Sequence, residues 1–258
     1  MNGLTTWIGA LPWMLVAALI AWCVATARRN AGLVDIFWSL FMLVAALCFL
    51  RSVTVPATRA LLVMALVTLW ALRLAAHLAW RNWNAPEDHR YQAIRARNQP
   101  GFVWKSLYLV FGLQAVMALV VAAPLHAAIT GSKGLGALDL AGAGLVLAGF
   151  VFESIADAQL AAFRADADNR GHVLDSGLWR YSRHPNYFGE FCVWWGFFLL
   201  ALATGGWWTL VSPLLMSVLL LRVSGVTLLE KDIGERRPGY AQYVARTNAF
   251  FPGPRTTP

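Results

Sequence analysis

Seven long apolar stretches constrain the fold of this chain more than any other feature of its sequence. They lie at residues 7–27, 32–50, 60–80, 103–125, 136–160, 187–203 and 207–228. A membrane-spanning α-helix needs about 20 mostly apolar residues, because the hydrocarbon core of a bilayer is about 30 Å thick. The chain has 258 residues, of which 59% are hydrophobic and 13% are charged. This composition excludes a disordered chain and a basic nucleic-acid-binding domain, and it predicts an all-α polytopic membrane helix bundle with about seven transmembrane helices.

The distribution of positive charge predicts the orientation of these helices. If the N-terminus lies outside, only Arg51, Arg59 and Lys133 of the 21 Lys and Arg residues fall in outer loops, and nearly all the others fall in inner loops. Cytoplasmic loops of membrane proteins carry an excess of Lys and Arg. We therefore expect an N-terminus outside, a cytoplasmic C-terminus and a single domain over 1–258. A six-helix alternative treats 187–228 as one re-entrant unit.

Glycine and alanine are concentrated in the run 134–149, which lies largely within one of the apolar stretches. A dinucleotide-binding fingerprint would need a preceding strand and a polar phosphate loop. Because the context here is a membrane helix, the small residues indicate close packing against another helix instead.

Ionisable residues inside the apolar stretches form a second pattern. Six of them stand out, and with the predicted topology these six fall in the cytoplasmic half of the membrane, on four different helices. They are Asp35, Arg73, His77, Glu153, Asp157 and Arg222. Each such group costs at least about 2.5 kcal/mol at the bilayer centre. One alone could be a snorkelling side chain or part of a buried ion pair, but the group indicates a polar cavity that opens to the cytoplasm.

Two long polar segments on the inner side, 85–97 and 163–190, extend this predicted cavity. The second contains arginines that suit bidentate phosphate binding, aromatic faces for a base or ring, and an amide that can donate and accept. These residues are Arg164, Arg170, Trp179, Arg180, Tyr181, Arg183, His184, Asn186 and Tyr187. The alternative is a positive loop that only fixes topology, but topology requires charge and not the interleaved Tyr, Asn and His.

The string GLWRYSRHPNYFGE at 177–190 resembles the C-terminal signature of the steroid 5-alpha-reductase superfamily, and most closely its bacterial DUF1295 branch. EDHRY at 87–91, the pair Asp35 and Trp38, RRPGYAQY at 236–243 and the closing FFPGP look like the same branch. The resemblance covers nearly the whole chain and is strongest from 150 to 252.

This resemblance implies that NADPH binds in the cytoplasmic part of the bundle and gives a hydride to a carbon–carbon double bond. The double bond would be conjugated with a carbonyl or lie in a sterol ring. The cofactor residues that it implies are Glu153, Asp157, Arg164, Arg180, Tyr181, Arg183, His184, Asn186 and Tyr187. The steroid enzymes hold a 3-keto group with a Gln-Glu pair and a Tyr, where this chain has only Asp35 and Trp70. The resemblance therefore supports reduction by NADPH better than it supports a steroid substrate.

We therefore expect an ene-reductase in the bacterial inner membrane, with its active site facing the cytoplasm and a lipophilic enone-, sterol- or isoprenoid-like substrate. The candidate proton donors are Asp35 and Tyr91, with His77 behind them. Its partners would be this substrate and membrane lipids, with no nucleic acid. No metal site is expected, since the three cysteines lie in apolar runs without ligand spacing.

Two alternative functions come from other classes. Membrane methyltransferases of the isoprenylcysteine or phospholipid type bind S-adenosylmethionine with a string similar to RHPNYFG at 183–189. The Asp157–Arg164 spacing and the amide of Asn186 match the reductases better. A non-enzymatic lipid or sterol binder would explain a polar cavity in a helix bundle, but not the phosphate-like cluster of arginines.

Overall fold

The computed structural model describes residues 3–223 and 239–255, and all regular secondary structure in these residues is helical. The predicted all-α class is confirmed for this part of the chain. The α-helices are α1 Gly3–Ile8, α2 Leu11–Ala27, α3 Val34–Arg51, α4 Thr58–Asn82, α5 His89–Arg97, α6 Phe102–Ser106, α7 Leu113–Val121, α8 Ala123–Thr130, α9 Ala137–Ala165, α10 Pro185–Leu202, α11 Val211–Val218 and α12 Tyr240–Arg246.

Five helical stretches in the described residues are long and apolar enough to cross a membrane. They are Gly3–Ala27, Ala31–Arg51, Thr58–Asn82, Phe102–Val121 and Ala137–Ala165. They coincide with the first five predicted stretches, which is consistent with an integral membrane protein. The sixth stretch corresponds to α10, which begins with polar residues such as Asn186, and the seventh to the shorter apolar helix Trp207–Arg222. The count of seven spans stays a prediction. The last residues of the seventh stretch lie outside the part of the chain that the structure describes.

The chain divides into two compact units. The first unit contains residues 3–139 and 200–212, and the second contains 140–199 together with the described residues after 212. The expectation of a single domain stays a prediction.

Helices α3 and α4 form the centre of the first unit and run antiparallel, since a loop of only six residues joins them. The Ser39 hydroxyl on α3 donates to the carbonyl oxygen of Ala71 on α4 at 2.9 Å. Phe41 and Phe49 on α3 and Trp70 on α4 are fully buried. The antiparallel arrangement places the first turn of α3 beside the last turns of α4, at the end of the unit where α5 also lies.

The apolar stretch 103–125 is less regular than predicted. A π-helical segment, Leu107–Gly112, separates α6 from α7, and α7 ends at Val121. Helix α8 then begins with Pro124 in its first turn, where the missing N–H of proline leaves no helical hydrogen bond unmade. Single-turn π segments inside α-helices are frequent at functional sites.

Glycines bring α9 and α10 unusually close together in the second unit. A Cβ atom at Gly189 would lie 2.6 Å from the backbone nitrogen of Glu153, and one at Gly149 would lie 2.6 Å from the carbonyl oxygen of Gly189. No side chain fits at such distances. The prediction that the glycine-rich run serves helix packing is therefore confirmed at Gly149.

Candidate functional site

Two of the three predicted proton donors lie together in the first unit. Asp35 is in the first turn of α3, and Tyr91 is in α5. The Tyr91 hydroxyl donates to Oδ1 of Asp35 at 2.5 Å, and Nη2 of Arg90 donates to Oδ2 at 2.9 Å. Both carboxylate oxygens of Asp35 therefore accept hydrogen bonds from the same short helix.

The start of α5 holds Arg90 in place. Asp88 caps this helix, because its carboxylate accepts a hydrogen bond from the backbone N–H of Arg90 at 2.9 Å. The same carboxylate oxygen accepts from Nε of Arg90 at 3.0 Å. Arg90 thus lies between two carboxylates, Asp88 on its own helix and Asp35 on α3. This arrangement accounts for three letters of the EDHRY segment, Asp88, Arg90 and Tyr91.

Glu87, the first residue of that segment, ties α5 to the turn that precedes α3. It accepts from the backbone N–H of Ala31 at 2.7 Å and from Nη2 of Arg95 at 2.8 Å. Burial alone would raise the pKa of Glu87, but the hydrogen bonds from Arg95 and Ala31 outweigh it, so that the pKa lies below its ordinary value. Glu87 therefore stays ionised at neutral pH and fixes the position of Tyr91 relative to Asp35.

Tyr91 retains its proton over a wide pH range. It is 6% exposed, and burial is the largest cause that raises its pKa well above the usual value. The negative charge of Asp35 acts in the same direction, whereas the positive charge of Arg90 acts against it. A buried phenol that stays protonated at neutral pH is a candidate proton donor.

Gln114 completes this cluster and was not predicted from the sequence. Its Nε2 donates to the hydroxyl oxygen of Tyr91 at 3.2 Å. Its Oε1 is buried and has no hydrogen-bond partner among residues 3–223 and 239–255. Gln114 lies two positions after the π-helical segment and is the only polar residue of α7, LQAVMALVV. A lone amide in an apolar helix is the signal that could have identified it.

His77, the third predicted proton donor, lies on α4 with its ring packed against Trp80. The ring centroids are 6.1 Å apart. Its part in proton transfer stays a prediction.

Three of the predicted cofactor residues lie together in the second unit. Asp157 on α9 is 4% exposed, and Nδ2 of Asn186 on α10 donates to its Oδ1 at 3.1 Å. Glu153 lies one helical turn before Asp157 and is also buried. The close approach at Gly189 is what brings the first turns of α10 against this face of α9.

The neighbouring residues His184 and Tyr187 stack on each other. Their ring planes are 4° apart in angle and their centroids are 5.7 Å apart. Arg183 has a structural contact that the sequence did not indicate. Its Nη1 donates to the carbonyl oxygens of Thr247 at 2.7 Å and Val244 at 3.2 Å, so that it caps the C-terminal end of α12. The predicted contact of Arg183 with phosphate stays a prediction.

The remaining predicted cofactor residues, Arg164, Arg180 and Tyr181, are exposed. Arg180 makes no hydrogen bond or ion pair within the described part of the chain. The residue before it, Trp179, is anchored, because its Nε1 donates to the carbonyl oxygen of Ala156 on α9 at 3.0 Å. This bond ties the segment before α10 to α9. The second unit therefore offers buried carboxylates and an amide, with exposed guanidinium groups in neighbouring parts of the chain.

Comparison with known proteins identifies relatives of unestablished function. A family model described as "Protein of unknown function (DUF1295)" matches residues 21–247. "Uncharacterized protein C594.04c" of Schizosaccharomyces pombe (strain 972 / ATCC 24843) is 25% identical over 264 residues, which cover 90% of this chain and 76% of that protein. No solved structure matches the chain. The region matched by the family model includes every residue of the two clusters described above.

Proposed function

The chain belongs to the DUF1295 family, and we propose that it is a membrane-embedded NADPH-dependent reductase of a carbon–carbon double bond in a lipophilic substrate. The substrate class is an enone-, sterol- or isoprenoid-like compound. The observation that carries the proposal is the hydrogen bond between Tyr91 and Asp35. It joins two residues, 56 positions apart in the chain, into a pair that could supply the proton for such a reduction.

Reduction of a polarised double bond breaks its π bond and forms two new C–H bonds, one from a hydride and one from a proton. NADPH, when bound, supplies the hydride. Tyr91 supplies the proton from its phenolic oxygen. The charge left on that oxygen is stabilised by the amide N–H of Gln114 and by the guanidinium of Arg90, whose Cζ lies 5.5 Å from the centroid of the Tyr91 ring. Tyr91 then regains a proton from solvent, passed through Asp35, whose carboxylate accepts the Tyr91 hydrogen bond and is 24% exposed along its side chain.

The second unit has residues that fit a dinucleotide phosphate. Asp157 and Asn186 provide acceptors and donors for hydroxyl or amide groups. The exposed guanidinium of Arg180, which has no partner within the described residues, and that of Arg164 suit phosphate oxygens. Tyr181 is 45% exposed and offers an aromatic face for a ring. These residues would bind and orient the cofactor.

A methyltransferase of the isoprenylcysteine or phospholipid type is supported less well. S-adenosylmethionine carries a positively charged sulfonium and no phosphate, so exposed arginines favour a phosphorylated cofactor over it. Methyl transfer also needs no proton donor, whereas Tyr91 is held in its protonated form. A lipid binder without enzymatic activity needs neither the exposed arginines nor a protonated Tyr91.

The proposal includes membership of the steroid 5-alpha-reductase superfamily and a defined topology. Seven spans would place the N-terminus outside and the C-terminus in the cytoplasm, in the bacterial inner membrane, with the active site facing the cytoplasm. The distribution of the 21 Lys and Arg residues supports this orientation.

The proposal is tested by titrating the purified protein in micelles with NADPH, with S-adenosylmethionine and with a fluorescent sterol. We expect NADPH to bind. Asn186→Ala should weaken NADPH binding by about tenfold or more, because a hydrogen bond to a charged group is lost. The matched control is Asn98→Ala, the same substitution at the C-terminal end of α5, which should leave the affinity unchanged. Binding of S-adenosylmethionine without binding of NADPH would contradict the proposal.

A further inference from the structure

A second polar site lies in the first unit, between the end of α2 and the start of α6. A cavity of about 220 Å³ opens there, and its lining includes the basic residues Arg29 and Arg95 and the apolar residues Phe102, Val103 and Phe111. Pockets for whole cofactors or drug-sized ligands have volumes of about 300–1,000 Å³. This cavity is too small for a dinucleotide, but it is large enough for a single phosphate-bearing group.

The backbone at Arg29 is the most unusual in the described residues. Its φ of 52° makes it the only non-glycine residue there with a positive φ. The position follows the C-terminal end of α2, where glycine is the favoured residue because a Cβ atom is strained in this conformation. A glycine would meet the backbone requirement without strain. Arginine adds strain, but it contributes an exposed, positively charged side chain to the lining of the cavity, which indicates a function for that side chain.

The two arginines of the cavity differ in how they are held. Nη2 of Arg95 pairs with Oε1 of Glu87 at 2.8 Å, and the Arg95 guanidinium lies over the ring of Phe102, 4.6 Å from its centroid. These contacts fix Arg95 in place and neutralise its charge. Arg29, in contrast, makes no hydrogen bond or ion pair with any described side chain, so its charge is available to an anion.

The surroundings place the cavity at the level of a membrane surface. One apolar stretch ends at Ala27 and another begins at Phe102, both beside the cavity. Nε1 of Trp22 donates to the carbonyl oxygen of Val103 at 2.9 Å, and the ring centroids of Trp22 and Trp104 are 5.2 Å apart. Tryptophans concentrate at the boundary between acyl chains and headgroups, which is also where lipid phosphates lie.

We infer that this cavity binds the phosphate headgroup of an anionic phospholipid. Arg29 provides the charge, and Arg95 provides donors in a fixed position. Val103, which is 42% exposed, and Trp104, which is 69% exposed, extend the apolar wall along which an acyl chain can lie. Net positive charge beside the end of a membrane helix attracts anionic lipid. This inference does not rest on the proposed reduction.

The test is a fluorescence titration of the purified protein in micelles with short-chain phosphatidylglycerol, with phosphatidylcholine and inorganic phosphate as the other two ligands. Wild type should bind phosphatidylglycerol at least about tenfold more tightly than phosphatidylcholine. Arg29→Gly should lose this preference, because it removes a charge-assisted hydrogen bond. The matched control is Arg97→Ala, which removes one exposed positive charge from α5 without altering the cavity lining, and it should keep the preference.

Folding of the variants is checked by thermal unfolding in the same micelles. Arg29→Gly should unfold at the same or a higher temperature than wild type, since glycine relieves the strained backbone. Arg29→Asn tolerates the same conformation and should lose the lipid preference as well. Unchanged phosphatidylglycerol binding in both variants would overturn the inference. Displacement of the lipid by inorganic phosphate at comparable concentration would overturn the assignment to a lipid.

Discussion

Two charged clusters in the first unit have similar composition but different surroundings. Arg59 in the first turn of α4 and Asp139 in the first turn of α9 are each 1% exposed, and their Nε and Oδ1 atoms are 2.5 Å apart. The other Arg59 donors bind the carbonyl oxygens of Lys133 and Gly134 at 2.7 Å. Every polar atom of this pair that faces the protein interior is therefore satisfied.

The cluster around Asp35 is more open. Asp35 and Arg90 are 24% and 21% exposed along their side chains, and Oε1 of Gln114 has no partner among the described residues. A buried ion pair with all its hydrogen bonds made leaves nothing for a ligand to bind, so Arg59 and Asp139 connect two helices. A partly satisfied and accessible cluster has binding capacity left, and this difference is why Asp35 and Tyr91 are the candidate functional group of our proposal.

The largest effect on stability is expected at the closed pair. Arg59→Leu leaves the Asp139 carboxylate buried without its partner and should lower the free energy of unfolding by about 3–5 kcal/mol. Arg51→Leu, the loss of an exposed arginine at the end of α3, is the control and should change it little. The measurement is thermal or denaturant unfolding in micelles. Equal effects of the two substitutions would remove the distinction between the closed pair and ordinary surface charge.

A smaller and purely functional effect is expected at Gln114 in the open cluster. Gln114→Leu removes a donor to the Tyr91 oxygen together with an orphan acceptor, so stability should change little. Turnover should fall about tenfold, because one hydrogen bond to the developing charge is lost.

The same substitution should move the alkaline limb of the pH–rate profile to higher pH. The hydrogen bond from Gln114 lowers the pKa of Tyr91 against the larger effects of burial and Asp35. A merely structural role for Gln114 would leave this limb in place. Unchanged turnover together with an unchanged pH profile would exclude Gln114 from the proton-donating group.

The smallest expected effect is a loss of folding stability at low pH, and it depends on Glu87, which fixes α5 beside the open cluster. The pKa of Glu87 in the folded protein lies below its ordinary value of 4.5, so its contribution to stability is complete above about pH 4.5 and is lost as pH falls through the folded pKa. Wild type should therefore lose more stability than Glu87→Gln on acidification below that pH. Parallel pH–stability curves for the two proteins would contradict this account of how α5 is fixed to the turn before α3.

Much of the fold follows directly from hydropathy. Predicted and observed boundaries of the first three spans agree within a few residues, for example 60–80 against Thr58–Asn82. The π-helical segment Leu107–Gly112 was missed, because it depends on tertiary packing and not on composition. The helix α5 was missed because its sequence, HRYQAIRAR, is too polar and too short to show an apolar period.

The sequence also singled out several residues that the structure brings together, although their roles stay predictions. The pairing of Asp35 with Tyr91 and of Asp157 with Asn186 agrees with the residues singled out in the sequence. Contacts and conformations that depend on the three-dimensional fold were not predicted. Arg183 caps a helix more than 60 positions later in the chain, and the strain at Arg29 is a property of the backbone angle. Neither contact distances nor backbone angles can be derived from spacing along one chain.

Hydride transfer itself tests the central claim most directly. The purified protein would be incubated with a membrane lipid extract and NADPH deuterated at its transferable hydrogen, and the lipids analysed by mass spectrometry. We predict that wild type places deuterium in a specific lipid, and that Tyr91→Phe binds NADPH with unchanged affinity but transfers at least about a hundredfold less label. Absence of label with wild type, or full labelling by Tyr91→Phe, would contradict the account.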